Sequence, residues 1–125
     1  MQTKEQQRAA FALMQIEEQF DNRVDEKTAN FIVGTPTMIL CNGLGQTMAF
    51  LLSKKKEPKQ KAVFDFVRAW LEKEKPHLAA LSDMEFLKKF TALSQADYLD
   101  SQRESLAVLQ WLKRYARAFQ EEKEK

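Results

Sequence analysis

The sequence predicts an all-α protein that folds as one domain over residues 1–125, a bundle of about five to six helices around a buried central helix at about 36–53. Only three glycines and three prolines occur in the 125 residues, so there is little material for turns. The composition is 44 % hydrophobic and 30 % charged, which is the balance of one globular domain that can bury a core without disulfides or metal. The commonest residues are helix formers, which leaves little material for strands.

The first third of the chain predicts two amphipathic helices. One runs from Thr3 or Lys4 to about Phe20, with apolar residues in a 4-3-4 spacing at Ala9, Leu13, Ile16 and Phe20. A shorter one runs from Val24 to Val33, and Gly34 is expected to end it as the residue just after the helix.

The central helix is predicted to begin at Thr35, an N-cap residue followed by Pro36 at the first helical position. From Met38 to Leu52 the apolar residues leave no continuous polar face. A helix that is apolar all round is a buried one, so the other helices are expected to pack around it.

The Asn42-Gly43 pair allows a second interpretation, because Asn-Gly between apolar runs is also a signal for a β-hairpin. The helix is favoured because the chain offers no partner strands and an isolated hairpin is marginal in water. We expect a helix bent near Asn42. Gly43 and Gly45 each lower the stability of a helix by roughly 1 kcal/mol relative to alanine. We expect this cost to be offset in one of two ways. Either the backbone packs closely against a neighbouring helix, or an exposed Asn42 or Gln46 makes a polar contact.

Three further helices are predicted in the rest of the chain. One runs from about Lys59 to Lys73 and is stopped by Pro76. After a connector, Ser82 and Ser94 each begin a capping-box pattern, which predicts helices over about 83–93 and from Gln95 to about 120. Residues 121–125 are expected to be a frayed end.

Composition also bounds location and partners. No signal peptide is visible at the N-terminus, and the apolar run from Met38 to Leu52 falls short of the ~20 residues that a membrane span needs. Cys41 is the only cysteine, which favours a reducing, cytoplasmic setting. The formal charge of +2 is too small for a general argument about nucleic acids, so any such argument depends on where the charges lie.

Residues for catalysis are few. His77 is the only histidine and Cys41 the only thiol, and we expect an ordinary surface or half-buried histidine and a core cysteine, with no metal site. Gly43-Leu44-Gly45 lacks both the dinucleotide fingerprint and the phosphate-loop ending. No catalytic residue, cofactor or small-molecule substrate is expected.

Two basic clusters carry the functional signal. Lys54, Lys55 and Lys56 follow the central helix, and Lys113, Arg114 and Arg117 cover one edge of the last helix because they are three and four residues apart. Such a strip is the electrostatic footprint of contacts to nucleic-acid phosphates. The alternative is a solvated helix surface.

Three segments together resemble one protein family. They are Arg8-Ala9-Ala10, the run Pro36 followed by Met38-Ile39-Leu40-Cys41-Asn42-Gly43-Leu44-Gly45-Gln46-Thr47-Met48-Ala49-Phe50, and Trp111-Leu112-Lys113-Arg114-Tyr115-Ala116. The family is the small helical subunit of type III-B (Cmr-type) CRISPR effector complexes, and Thr35 departs from its pattern, which usually has an apolar residue before the proline.

The resemblance implies a non-catalytic protein, present in several copies, that stacks beside the crRNA-bearing backbone subunits along the guide–target duplex. Its implied RNA contacts are Lys54, Lys55, Lys56, Lys113, Arg114 and Arg117, with Arg8 a weaker candidate. Pro36, Asn42, Gly43 and Gly45 form a signature for helix packing. The alternative is a helical protein–protein adaptor that does not touch nucleic acid.

Overall fold

The computed structural model describes residues 1–122, and in them the chain forms five α-helices and one short 3-10 turn. Their bounds are α1 Lys4–Phe20, α2 Glu26–Ser53, α3 Pro58–Glu74, the 3-10 turn Pro76–Leu78, α4 Asp83–Thr91 and α5 Gln95–Ala118. Within these residues the only β-type pairing is an isolated bridge between Val24 and Gln120. The all-α prediction is confirmed, and the predicted hairpin alternative at Asn42-Gly43 is wrong. Of the end predicted to fray, residues 123–125 lie outside the described residues.

Local capping explains where three of the helices begin. The hydroxyl of Ser82 accepts a hydrogen bond from the backbone N–H of Glu85 at 3.1 Å, and Ser94 accepts one from Asp97 at 3.2 Å. Each bond satisfies one of the free amides of a first helical turn. Thr3 and Gln6 form a reciprocal capping box at the start of α1. The serine half of each predicted capping box is therefore confirmed, while Glu85 accepts from the N–H of Leu81 and not from that of Ser82.

Aromatic residues of α1, α3 and α4 make up much of the core. Trp70, Phe64, Phe66 and Phe86 are among the largest fully buried side chains. The ring of Phe11 lies 5.0 Å from that of Trp70, which fixes α1 against α3. Leu13, expected to face inward, is instead 43 % exposed, and Ala12 takes the buried position.

The predicted boundary at Gly34, Thr35 and Pro36 is wrong, because α2 passes through it without interruption. Gly34 has helical geometry and does not end a helix. The hydroxyl of Thr35 does not cap a helix start but donates to the carbonyl of Phe31, one turn back, at 3.0 Å. Thr35 and Pro36 are both buried, so tertiary packing keeps the helix intact across the proline.

The true irregularity in α2 is Gly43, where φ is 84° and ψ is 160°. A straight helix would place Thr28 and Lys54 about 39 Å apart, and the four residues from Lys54 to Pro58 reach at most about 14 Å. Yet Thr28 and Pro58 line one surface hollow. The chain therefore turns back at Gly43, which confirms the bend predicted near Asn42.

The turn leaves one face of α2 exposed, so the prediction of a helix buried all round is wrong. Leu40 is 70 % exposed and Phe50 is 39 % exposed. Cys41 is exposed too, which corrects its expected place in the core. The buried face carries Ile39, Leu44, Met48 and Leu51, and it still lies at the centre of the core. Within residues 1–122, none of the helices combines the length and apolar character needed to cross a bilayer.

Candidate nucleic-acid interface

Three cations on the outer side of α5, Lys113, Arg114 and Arg117, form what we call the α5 cluster. The opposite side of α5 buries an apolar stripe made of Val108, Leu109, Leu112 and Ala116. Helical spacing therefore directs the three cations away from the core. Together with Val33 of α2 and Ala118 they line an open hollow of about 430 Å³. The structure thus brings together all three residues predicted on this helix.

The α5 cluster is not neutralised within the described part of the chain. No carboxylate of residues 1–122 lies within 4.0 Å of a charged nitrogen of the cluster, whereas Lys61, Arg68 and Lys75 each have acidic partners. Arg117 donates to the amide oxygen of Gln120 at 2.8 Å, which is a neutral partner. The positive charge of this hollow is therefore free to attract an anion from outside the chain.

The second predicted cluster, the lysine triplet Lys54, Lys55 and Lys56, is exposed in the turn between α2 and α3. Within residues 1–122 it has no ion pair either. Because α2 turns back at Gly43, the triplet is carried to the end of the bundle where Val24 pairs with Gln120 beyond α5. The two cationic clusters therefore lie at the same end of the molecule, although Lys56 and Lys113 are 57 positions apart in the chain (113 − 56).

Arg8 differs from the other candidates because it is held in a partly buried ion pair. Its Nε lies 2.7 Å and its Nη2 2.9 Å from the two carboxylate oxygens of Glu104, and Nη1 also contacts Glu5. The hydrogen bond to Glu104 raises the pKa of Arg8, and the hydrogen bond from Arg8 lowers the pKa of Glu104. Glu104 accepts another bond from the indole N–H of Trp70 at 3.0 Å. Arg8 therefore ties α1 to α5 and α3, and we do not include it in the interface.

The signature glycines lie against α5. A Cβ atom added to Gly45 would be 3.3 Å from the hydroxyl oxygen of Tyr98, and one added to Gly43 would be 3.4 Å from it. The break at Gly43 frees two backbone amides from their helical partners. Leu44 N–H donates to the side-chain oxygen of Gln102 at 2.9 Å, and Gly45 N–H donates to the Tyr98 hydroxyl at 2.9 Å. Gly43 and Gly45 therefore lie against side chains of α5.

The other two members of the signature, Pro36 and Asn42, both precede this contact in the chain. Pro36 is buried, and Asn42 is exposed and lines a hollow of about 360 Å³ together with Met38, Gln46, Thr47 and Phe50. These residues come from both halves of α2, so the hollow lies in the angle at the turn. Its lining is uncharged.

Sequence reasoning missed two of the residues that build this region. Nothing in the sequence pairs Tyr98 with Gly45. Gln102 gave no signal, since a glutamine on a helix is usually solvated. Both contacts join residues more than fifty positions apart, so only the structure reveals them.

The remaining chemistry-bearing residues do not form a cluster. His77 is exposed in the 3-10 turn, far in sequence from the exposed Cys41. Within residues 1–122, no three His, Cys, Asp or Glu side chains are grouped as metal ligands would be.

A comparison with known families decides what kind of protein carries this arrangement. The family described as CRISPR-associated protein (Cas_Cmr5) matches residues 4–119. The chain belongs to the Cmr5 family. The match spans all five helices, including the turn at Gly43 and the α5 cluster.

Membership of the Cmr5 family makes the chain a small subunit of the Cmr-type (type III-B) CRISPR-associated complex. It also implies association with other subunits of that complex. The resemblance drawn from the Asn-Gly-Leu-Gly-Gln run and the two flanking segments is thereby confirmed.

Proposed function

We propose that this chain is a non-catalytic subunit of the Cmr complex that contacts RNA through the cationic end of its bundle. The α5 cluster and the lysine triplet would lie along phosphates of the crRNA or of the target RNA, and cleavage would belong to other subunits. Neighbouring subunits, including further copies of this chain, would pack against the uncharged face of α2.

The observation that supports RNA contact is the α5 cluster itself. Three cations converge on one concave surface without an acidic partner among the described residues. Phosphate is the anion for which such a surface is suited, since backbone contacts depend on charge and not on sequence. The whole chain has a net charge of only +2, so the positive charge of this surface comes from the local arrangement of its residues and not from an excess of cations in the chain.

The test is a charge-removal variant, Lys113→Gln/Arg114→Gln/Arg117→Gln, compared with wild type in RNA-binding titrations over a range of salt concentrations. For single strands each phosphate contact contributes about 0.7 to the slope of log K against log salt. We therefore expect the slope to fall by about 2 when all three contacts are lost. A second variant, in which all three lysines of the lysine triplet are changed to glutamine, measures the contribution of the triplet to the salt dependence of RNA binding.

A matched control removes three positive charges elsewhere, as Lys73→Gln/Lys88→Gln/Arg103→Gln. These side chains are exposed and lie outside both clusters. The control has the same net charge as the test variant, so it should keep the wild-type salt slope. Equal slopes for test variant and control would contradict the proposal.

A second candidate function is a protein–protein adaptor without nucleic-acid contact, and α2 provides the observation in its favour. No charged residue occurs between Lys27 and Lys54, yet this segment exposes Leu40, Cys41 and Phe50. Charged residues are depleted at the centres of protein interfaces. If purified complexes keep this subunit after nuclease treatment, and the α5 variant assembles and protects RNA as wild type does, the adaptor function is favoured.

A further inference from the structure

A smaller hollow lies directly beside the α5 cluster. It has a volume of about 240 Å³ and is lined by Glu5, Gln110, Trp111 and Arg114. Arg114 also lines the cationic hollow, so one side chain forms the wall between the two. A ligand that has an anionic part and a flat neutral part separated by one side chain would occupy both hollows.

We propose that this smaller hollow takes one unpaired nucleobase of the RNA strand whose phosphates lie on the α5 cluster, with Trp111 as the stacking surface. The inference rests on the proposed RNA contact and makes it more specific. It states that the strand at this place is single-stranded and that its base, not only its phosphate, is bound.

The indole of Trp111 is suited to stacking because its orientation is fixed before any ligand arrives. Its N–H donates to a carboxylate oxygen of Glu5 at 3.0 Å. Its ring centroid lies 6.0 Å from that of Tyr115, one turn further along α5. A ring fixed in this way loses little conformational freedom on binding, and each base of any sequence has a face that can stack on it.

The polar residues of the hollow match the edge of a base. Gln110 is exposed and offers both a donor and an acceptor, and Glu5 offers an acceptor for an exocyclic amino group. The negative charge of Glu5 is partly offset by its contact with Arg8, which also pairs with Glu104, and this lowers the repulsion between Glu5 and a nearby phosphate. Arg8 thus acts on the site through Glu5, although it is itself held in the bundle.

The cationic surface beside the hollow favours a base of a nucleic acid over a protein side chain as its occupant. The adjacent surface is cationic and lacks an acidic partner among residues 1–122, which selects for an anionic polymer. Bases inside a duplex are stacked and paired, so only an unpaired base can turn its face to Trp111. A fully paired strand would still bind the α5 cluster but would leave this hollow empty.

The test uses the intrinsic fluorescence of the full chain, which contains only two tryptophans. Trp70 is fully buried, so Trp111 is the one that a ligand can reach. Three ligands of equal length are titrated: single-stranded RNA, an abasic ribose-phosphate oligomer, and duplex RNA. We expect single-stranded RNA alone to quench Trp111 emission, and we expect the abasic oligomer to bind about tenfold more weakly because it lacks the stacked base.

Two variants connect the signal to the residue. Trp70→Phe should keep the quenching, because its only tryptophan is Trp111. Trp111→Leu should lower the affinity for single-stranded RNA about tenfold and leave that for the abasic oligomer unchanged, whereas Trp111→Phe, which keeps an aromatic ring, should restore much of the loss.

The outcomes separate the two proposals. If single-stranded RNA binds with the salt dependence of the α5 cluster but quenches no more than the abasic oligomer does, the base hollow is overturned and the RNA contact remains. If Trp111→Leu lowers the affinity for the abasic oligomer as much as that for single-stranded RNA, the effect of the substitution is structural and the proposed base site is again overturned. If the full chain binds none of the three ligands, both proposals are wrong.

Discussion

Two irregular places in α2 behave in opposite ways. At Thr35-Pro36 a proline, the residue least compatible with a helix interior, lies within an unbroken helix. At Gly43, only seven residues later, the helix breaks and the chain turns back. Proline usually breaks a helix, yet α2 continues through Pro36. Glycine is usually tolerated in a helix, yet α2 breaks at Gly43.

The difference comes from what surrounds each place. Thr35 and Pro36 are buried among core residues on both sides, and the Thr35 hydroxyl binds a carbonyl one turn back. Gly43 faces α5, where Tyr98 and Gln102 accept hydrogen bonds from the two amides that the break frees. A helix break is stable where side chains replace the lost backbone bonds, and a helix passes through proline where packing offsets one lost bond.

Replacing Gly43 with alanine should have the largest effect. Its combination of φ 84° and ψ 160° belongs to a region that is essentially restricted to glycine, so we expect a loss of about 1–3 kcal/mol in the free energy of unfolding. Strain is the cause, since the new Cβ would meet its nearest neighbour at an ordinary 3.4 Å. Urea denaturation measures the loss.

Gly34→Ala is the matched control for this prediction. Gly34 is helical and exposed, and an added Cβ meets nothing within 4 Å. Alanine there should stabilise the protein by about 0.5–1 kcal/mol, because it restricts the unfolded chain and favours the helix. A loss at Gly34 as large as that at Gly43 would show that the backbone at the two places does not differ as described.

The partner side chains give a smaller effect. Tyr98→Phe removes the hydroxyl that accepts from Gly45 N–H and leaves this partly buried amide without its partner. We expect a loss of about 1 kcal/mol in unfolding free energy, and faster hydrogen exchange at Gly45 than at the amides of α3.

Tyr115→Phe serves as its control. Tyr115 is also on α5 and half-buried, but its hydroxyl makes no hydrogen bond within residues 1–122. Its removal should change stability by less than about 0.5 kcal/mol. If the two phenylalanine variants are equally stable, the Tyr98 hydroxyl does not stabilise the break.

The parts of the fold that sequence reasoning predicted are those that local chemistry determines. The serine caps at Ser82 and Ser94 act within one helical turn. Asn42-Gly43 indicated the bend because glycine alone tolerates the angle. The absence of a break at Pro36 could not be predicted, because it depends on burial by distant residues.

The residues of the candidate interface also divide into those that local sequence predicts and those that depend on distant parts of the chain. The spacing of the α5 cluster on one helix is local, and the three side chains line one hollow. Arg8 looked similar in sequence, but its partner Glu104 is 96 residues away, and no pattern near Arg8 reveals it. The approach of the lysine triplet to the same end of the bundle depends on the turn at Gly43, which required the structure.

Apart from the control variants, Pro36→Ala should have the smallest effect on the free energy of unfolding, and it tests the contrast between Pro36 and Gly43 most directly. Alanine restores the backbone bond to Ile32 and avoids the ring clash, a gain of up to about 3 kcal/mol in a helix interior. Against this, the buried ring loses about two methylene groups of packing, roughly 1.6 kcal/mol, and the unfolded chain gains freedom worth about 0.4–1 kcal/mol. The opposing effects leave a net change within about 1 kcal/mol of zero, measurable by urea denaturation. A gain near 3 kcal/mol would mean that packing does not offset the proline, and a loss above 2 kcal/mol would mean that α2 depends on the ring itself.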